Sequence, residues 1–151
     1  MTYKRILVPV DGSPTSAKGL KEAIRLARGR RGKLRLLHVV EELGAFIAPE
    51  TGTNPAPILD AMKAAGRKTL ARVERGARAA GARPEAALAE DFGGRVADAI
   101  VRDAQRWRAD LIVMGTHGRR GMKHALLGSD AERVVHASRI PVLLVPARSP
   151  R

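Results

Sequence analysis

Short apolar runs, each bounded by turn residues and separated from the next by a stretch with helical periodicity, constrain this chain more than any other feature. Arg5 to Val10 reads RILVPV, Leu34 to Val40 reads LRLLHVV, Asp110 to Met114 reads DLIVM, and Pro141 to Val145 reads PVLLV. Near-continuous apolar runs of this length are what strands covered on both faces require. Glu85 to Ala89, after Pro84, adds a fifth short strand. Between the strands the apolar positions recur at helical spacing. Leu20, Ile24 and Ala27 mark a first helix from Ser16, punctuated by Gly29 and Gly32. Ile58, Met62, Leu70, Val73 and Ala77 mark a second that stops at Gly81, with Gly66 a weak point inside it. Val96, Ile100 and Ala104 mark a third beginning near Gly94, and a last helix opens near Ser129 with Val134, Val135 and Ala137 facing in. Leu43 to Pro57, rich in glycine and proline, reads as a long loop of the kind that serves as a lid or binding loop. Strands alternating with helices in this way predict an α/β fold: an open five-stranded, mainly parallel sheet with helices on both faces.

The bulk properties narrow the function. A chain of 151 residues is one domain long, and the pattern assigns residues 1–147 to that domain and 148–151 to a polar tail. No apolar run approaches the ~20 residues of a membrane span, and the N-terminus lacks the apolar core and cleavage site of a signal peptide, so a cytoplasmic protein without membrane contact is expected. The absence of cysteine excludes disulfides, thiolate zinc sites and cysteine nucleophiles. A net charge of +13 with only 3% aromatic residues reads as a solvated arginine-rich surface. Single-strand binding calls for aromatic platforms beside the charge, and no specific nucleic-acid recognition is expected.

The chemistry concentrates at strand ends. In open parallel sheets ligands sit beyond the carboxyl ends of the strands, where the chain reverses direction across the sheet. Gly115 and Gly118 follow the fourth strand with two residues between them, and Gly128-Ser129 opens the last helix, whose unpaired N–H groups and dipole favour an anion. Together these two segments could hold a polyphosphate.

Read in full, the segment is GTHGRRGMKHALLGS, spaced Gly115-x2-Gly118-x9-Gly128-Ser129. It is similar to the nucleotide-binding motif of universal stress proteins that bind ATP, and the likeness extends over ILVPVDGS near the start, LLHVVEE at strand two, ADLIVMGTHG at strand four and IPVLLVP at the end. The resemblance implies a Rossmann-like sheet of strand order 3-2-1-4-5 and a nucleotide contacted by matching positions. Pro9, Val10 and Asp11 match the strand-one end that touches ribose and adenine, and Val39 matches the residue whose backbone reads the adenine edge. Met114, Gly115, His117 and Gly118 match the turn lining ribose and phosphates, and Gly128, Ser129, Asp130 and Ala131 match the helix start that cradles them. It also implies ATP with Mg2+ held mainly by the phosphates, and a homodimer paired through the C-terminal strand, Val142 to Val145. The chain departs from the family at Asp130, a carboxylate that repels phosphate while stabilising the helix N-terminus, and at Glu90-Asp91-Phe92-Gly93-Gly94, where a Gly-Asp-Pro type turn is common.

Each residue also has a plainer reading. Ser129 with Glu132 three residues on forms a capping-box pattern, Asp11 suits an Asx turn before Gly12, and His117 suits turn structure or a hydrogen bond to the ligand better than catalysis. His38 reads as a core histidine, and His124 and His136 as surface residues. Arg119, Arg120 and Lys123 either reach the outer phosphates or are solvated loop charge. No Walker G-x4-G-K-[ST] or SGGxDS-type loop is present, so the leading expectation is a nucleotide-occupancy sensor in stress response, without a catalytic residue. The alternatives are a weak Mg-dependent ATPase in which Asp11 or His117 orients water, an AMP or cyclic AMP binder, and a nonspecific nucleic-acid protein driven by charge.

Overall fold

A computed structural model describes residues 3–28, 31–41, 52, 54–91, 95–117 and 127–147. The elements run β1 (Arg5–Pro9), α1 (Pro14–Ala27), β2 (Lys33–Glu41), α2 (Ala56–Ala79), β3 (Glu85–Asp91), α3 (Val96–Arg106), β4 (Leu111–Gly115), α4 (Ser129–Ala137) and β5 (Val142–Val145). Every pairing is parallel, and the strands lie in the order β3-β2-β1-β4-β5. This is the expected sheet.

Strand alternation divides the core into two layers. Ile6 and Val8 of β1 and Val10 just past its end, with Leu34 and Leu36 of β2, pack against Leu20, Ala23 and Ile24 of α1 and Leu70 and Ala77 of α2. On the other face Leu7, Leu37, Ile112 and Met114 meet Ala97, Ile100 and Ala104 of α3 and Ala131 and Val134 of α4. Right-handed crossovers place the helices this way. From β1 the chain steps outward over α1 and α2 to the β3 edge, then returns over α3 to β4 and over α4 to the β5 edge. Neighbouring β1 and β4 therefore send their chains to opposite faces.

Several local expectations shift. The first helix starts at Pro14, because Ser13 caps it by accepting from the Ser16 N–H at 3.2 Å and proline fits its first turn. The second starts at Ala56 for the same tolerance, so Pro57 lies inside it rather than in the loop. Gly66 is not a weak point: a Cβ there would stand 3.0 Å from both His38 Cδ2 and Val40 Cγ2, so glycine lets α2 lie close on β2. Ile58, expected on the inward stripe, is exposed at the start of α2, and Val135 is exposed as well. In α4 the inward stripe is Ala131 and Val134, while Ala137 lies on the exposed side. Adjacent valines point 100° apart on a helix, so only one of them can face the sheet. The greater part of the Leu43–Pro57 loop, Phe92 to Gly94 and the tail 148–151 lie outside the described residues.

At the amino ends of the strands a polar cluster ties α3 to the sheet. Arg35 of β2 donates to Asp103 of α3 through Nε at 2.7 Å and Nη2 at 3.0 Å, a forked pair across 68 residues of sequence, and Asp103 is buried. The hydrogen-bonded carboxylate raises the Arg35 pKa above the ordinary arginine value. Trp107 donates its Nε1–H to Glu85 at 3.0 Å, and its carbonyl accepts from Arg5, whose guanidinium stacks 4.3 Å from the indole centroid. Arg35 stays partly exposed and keeps Glu85 at 3.5 Å, so removing Asp103 costs its charge-assisted hydrogen bonds, about 1.5–3 kcal/mol, rather than stranding a buried charge. Asp103→Ala is therefore expected to lower unfolding free energy by about 2 kcal/mol in a urea titration followed by the fluorescence of Trp107, the one tryptophan of the chain. Arg78→Ala, which removes only the surface contact with Glu74, is expected to leave the midpoint unchanged.

Candidate functional site

The site is organised around the strands whose chains part. β1 and β4 pair only at Ile6–Leu111 and Leu7–Ile112, whereas β1 and β2 stay in register from Arg5–Lys33 to Pro9–Leu37. Past Leu7 and Ile112 the carboxyl ends of β1 and β4 bound the switch point of the sheet, the place where such sheets bind ligands.

On the β1 side the loop into α1 is held by its own short polar side chains. Asp11 Oδ1 accepts the Ser13 N–H at 2.8 Å, and the Asp11 N–H donates to Ser16 Oγ at 3.3 Å. The Asx turn is thus formed, and it fixes the Asp11 carboxylate at the strand mouth. Ser13 belongs to the turn that Asp11-Gly12-Ser13-Pro14 spells in the sequence, whereas Ser16, read there only as the start of the first helix, lies inside α1 and reaches back to this loop.

On the β4 side close approach decides the residue type. A Cβ on Gly115 would lie 2.6 Å from Thr15 Cγ2 and 2.8 Å from the Thr15 carbonyl oxygen, so only glycine lets the first turn of α1 rest on the end of β4. Gly19, one turn further along α1, faces the same spot: a Cβ there would meet the Gly115 nitrogen at 3.2 Å and the Met114 carbonyl carbon at 3.3 Å. No strand-end signal marks Gly19 in the sequence. Beyond Gly115 the buried Thr116 donates its N–H to Val145 O at 3.0 Å, and its hydroxyl lies 2.9 Å from His117 Nδ1.

The start of α4 is docked onto that turn. The Gly128 N–H donates to the Thr116 carbonyl at 2.6 Å, and a Cβ on Gly128 would stand 2.9 Å from the same oxygen. The two glycine segments, 13 residues apart in sequence from Gly115 to Gly128, therefore meet in space. Gly128, not Ser129, is the helix cap, and no side chain caps this end. The capping-box reading of Ser129 and Glu132 is thereby overturned: Ser129 is the first helical residue, and the Glu132 N–H donates to the Gly128 carbonyl at 2.9 Å. A first turn capped by glycine alone has backbone N–H groups directed out of the helix, the arrangement that suits an anion. Asp130 sits in this turn as its first acidic residue.

The remaining expected residues divide by face. Val39 and Met114 both join the layer under α3 and α4, and strand parity puts Pro9 there too, on the side where α4 begins. Ala131 is buried beneath α4. Val10 points the other way, into the α1 and α2 layer. Its N–H donates to Leu37 O at 2.8 Å, and its carbonyl accepts from His38 Nδ1 at 2.8 Å. His38 is therefore the core histidine expected, and the exposed His136 lies on the surface. Gly118, Arg119, Arg120, Lys123 and His124 lie outside the described residues. Two surface depressions are lined elsewhere: one of about 300 Å³ between β3 and α3, including Arg35, Arg102 and Arg106, and one of about 390 Å³ between α3 and α4. Only the second touches the motif, at Ser129. Among the described residues no group of three or more His, Asp or Glu side chains could hold a metal ion, and no helix is long and apolar enough to cross a membrane.

Comparison with known proteins bears on the family and the fold. The sequence model of the universal stress protein family matches residues 2–146. A universal stress protein of Methanocaldococcus jannaschii is 35% identical over 143 residues, covering 95% of this chain and 82% of that protein. The universal stress protein YxiE of Bacillus subtilis is 33% identical over 149 residues, covering 95% and 99%. Among solved structures, a second M. jannaschii protein superposes with a TM-score of 0.83 at 26% identity over the whole of both chains. A universal stress protein in complex with cAMP gives 0.69 at 27% identity over 98% of this chain and 100% of that one. One from Archaeoglobus fulgidus in complex with dAMP gives 0.67 at 27% identity over 95% and 98%. A doubly wound parallel sheet with glycine at its switch point is the class the fold defines. Within that class, the chain belongs to the universal stress protein family.

Gly115→Ala drives a Cβ into backbone atoms of Thr15 that cannot rotate away. Overpacking of this kind costs about 1–3 kcal/mol, and thermal unfolding of the variant is expected to show that loss. Gly76→Ala, where a Cβ meets nothing within 4 Å, is expected to be neutral or stabilising.

Proposed function

We propose that the switch-point crevice binds an adenine nucleotide, ATP with Mg2+ being its full ligand, and that occupancy rather than turnover is the output, as in a sensor or regulatory module of stress response. The observation that carries this reading is the Gly128 N–H bond to Thr116 O, which sets an α4 N-terminus with no side-chain cap against the glycine turn of β4. Val39, Met114 and the Asp11 turn border the adenosine end, with Gly115 and His117 between the two halves. The family relatives solved with cAMP and dAMP support the adenine end and favour a second reading, in which AMP or cyclic AMP is the cellular ligand. Without a three-residue acidic or histidine cluster among the described residues, a Mg2+ here would be held by phosphate oxygens and water. Asp11 and His117 are the groups near enough to the turn to orient water in a weak ATPase.

Mass spectrometry of the nucleotide released when the purified protein is denatured, followed by calorimetric titration with ATP, AMP and cyclic AMP, tests the reading. ATP binding that needs Mg2+ is the expected result, and an empty protein that binds none of the three overturns it. Phosphate release at many turnovers per minute would move the assignment to ATPase. Asp130→Asn removes a negative charge from the phosphate-facing turn, worth about 1 kcal/mol against a polyphosphate. The variant is expected to bind ATP roughly fivefold more tightly with adenosine affinity unchanged.

The same proposal includes a homodimer through β5, the last strand of the sheet on the side opposite β3. Pro141 O accepts from Ile112 of β4, and Val145 O from Thr116 just past its end. By strand alternation the N–H and C=O groups of Val142 and Leu144 therefore point to the open edge. Leu144→Pro deletes one outward donor and leaves the β4 ladder intact. It is expected to shift sedimentation from dimer to monomer, while Leu144→Ala stays dimeric; a monomeric parent protein at micromolar concentration removes the dimer.

A further inference from the structure

The excess of positive charge is not spread evenly over the two faces of the sheet. On the α1 and α2 side, residues 14–28 and Ala56–Ala79 carry ten Lys and Arg against three Asp and Glu. On the α3 and α4 side, residues 95–108 and 129–139 carry six against four. The net excess is thus seven on one face and two on the other, a difference invisible until the fold shows which helices share a face.

Helical phase puts these cations on the exposed side of their helices, with the Arg72 guanidinium reaching back beside Gly12, where a Cβ would stand 2.7 Å from its Nη2. In α2 the buried Gly66, Leu70 and Ala77 face the sheet, and Arg67, Lys68, Arg72, Arg75 and Arg78 occupy the opposite, exposed half of the helix. In α1 the exposed Lys18, Lys21, Arg25 and Arg28 stand opposite the buried Leu20, Ala23 and Ile24. The two helices adjoin, since Arg28 Nη2 donates to Ala80 O at 3.0 Å beyond the end of α2. Arg25 and Arg78 pair with Glu22 and Glu74 on their own helices. Arg67, Lys68, Arg72 and Arg75 are cations of α2 for which the described residues supply no acidic partner within 4 Å, and the exposed residues interspersed with them include Ala71 and Gly76.

We infer that the α1 and α2 face is a docking surface for the phosphate backbone of duplex nucleic acid, read by charge and without regard to sequence. Eleven residues of helix separate Arg67 from Arg78, a ridge of roughly 16 Å, alongside which a duplex presents about nine phosphate charges. The alanines and glycine between the cations let the backbone approach but offer no apolar side chains to insert in a lipid interface. The aromatic platforms that hold single strands are absent from the ridge, and Trp107 is buried on the other face.

The test is fluorescence anisotropy of a labelled 20-base-pair duplex of arbitrary sequence, titrated with the intact protein in 50 and 200 mM KCl. The parent is expected to bind at micromolar concentration in low salt and at least tenfold more weakly in high salt. The variant Arg67→Ser, Lys68→Ser, Arg72→Ser and Arg75→Ser is expected to bind at least tenfold more weakly in low salt, with the slope of log affinity against log salt reduced by about three. A control removing the same charge from the other face, Arg95→Ser, Arg106→Ser, Arg108→Ser and Arg133→Ser, is expected to bind within about threefold of the parent. Matching far-UV circular dichroism spectra confirm that all three proteins are folded. Equal losses in the two variants would reduce the effect to net charge and overturn the docking surface, as would no binding in 50 mM KCl. Tighter capture by phosphatidylglycerol vesicles than by the duplex at equal salt would overturn it in favour of a lipid surface.

Discussion

The parting of β1 from β4 is the constraint on which the rest of the molecule depends. A parallel sheet must be covered on both faces, and right-handed crossovers allow this only if the chain works outward to one edge and then returns to build toward the other. Two adjacent strands must then release their chains to opposite sides. Their pairing is confined to Ile6–Leu111 and Leu7–Ile112, and apart from Val39 of β2 the residues assigned to the candidate site lie on the segments that follow. The Asp11 turn, the Gly115 turn and the start of α4 are consequences of where the sheet reverses, each refined by the short contacts that turn permits.

The two ends of the sheet are built from different chemistry. The amino end is closed by long side chains: Arg5 stacks on Trp107 while Arg35 forks onto Asp103, so that α3 is anchored to β1 and β2 by charge and aromatic surface together. The carboxyl end is built from glycine and short polar residues. Gly115 stands against Thr15 of α1, and Gly128 against Thr116, at distances that a Cβ would forbid, while Gly19 lets α1 lie close on the end of β4. Contacts between long side chains are concentrated away from the candidate site, and at the site backbone packs directly on backbone. The same division separates the two outer faces, since the cations of α1 and α2 lie across the sheet from α4 and its acidic first turn.

Much of this was legible in the residues. Apolar runs such as RILVPV and DLIVM identify buried strands because a strand's pattern is set by its immediate neighbours in the chain, and Gly115 and Gly128 stand out because glycine at a strand end or helix start answers to local backbone geometry. His38 was correctly read as a core residue for the same reason, its place on an apolar strand. The fine phase of α4 was not legible: Val134 and Val135 are equally apolar, and the decision between them rests on how α4 is rotated against Ala97 and Ile100 of a different helix. The cap at Gly128 was hidden behind a plausible Ser129–Glu132 pattern, because the choice of first helical residue follows from a hydrogen bond to Thr116 that depends on where β4 ends.

What the sequence determined by itself, then, is the set of elements, their alternation, and the glycine segments at the ends of β4 and the start of α4, since all of these follow from interactions between residues a few positions apart. The tertiary structure alone decided that Gly19 faces Gly115, that Val10 packs under α1 and α2 while Val39 and Met114 pack under α3 and α4, that Arg35 finds Asp103 across 68 residues, and that ten of the cations gather on one side of the sheet. Each of those depends on which distant elements become neighbours, and that is set by the handedness of the crossovers and the packing of two layers on one sheet, not by any property of the local chain.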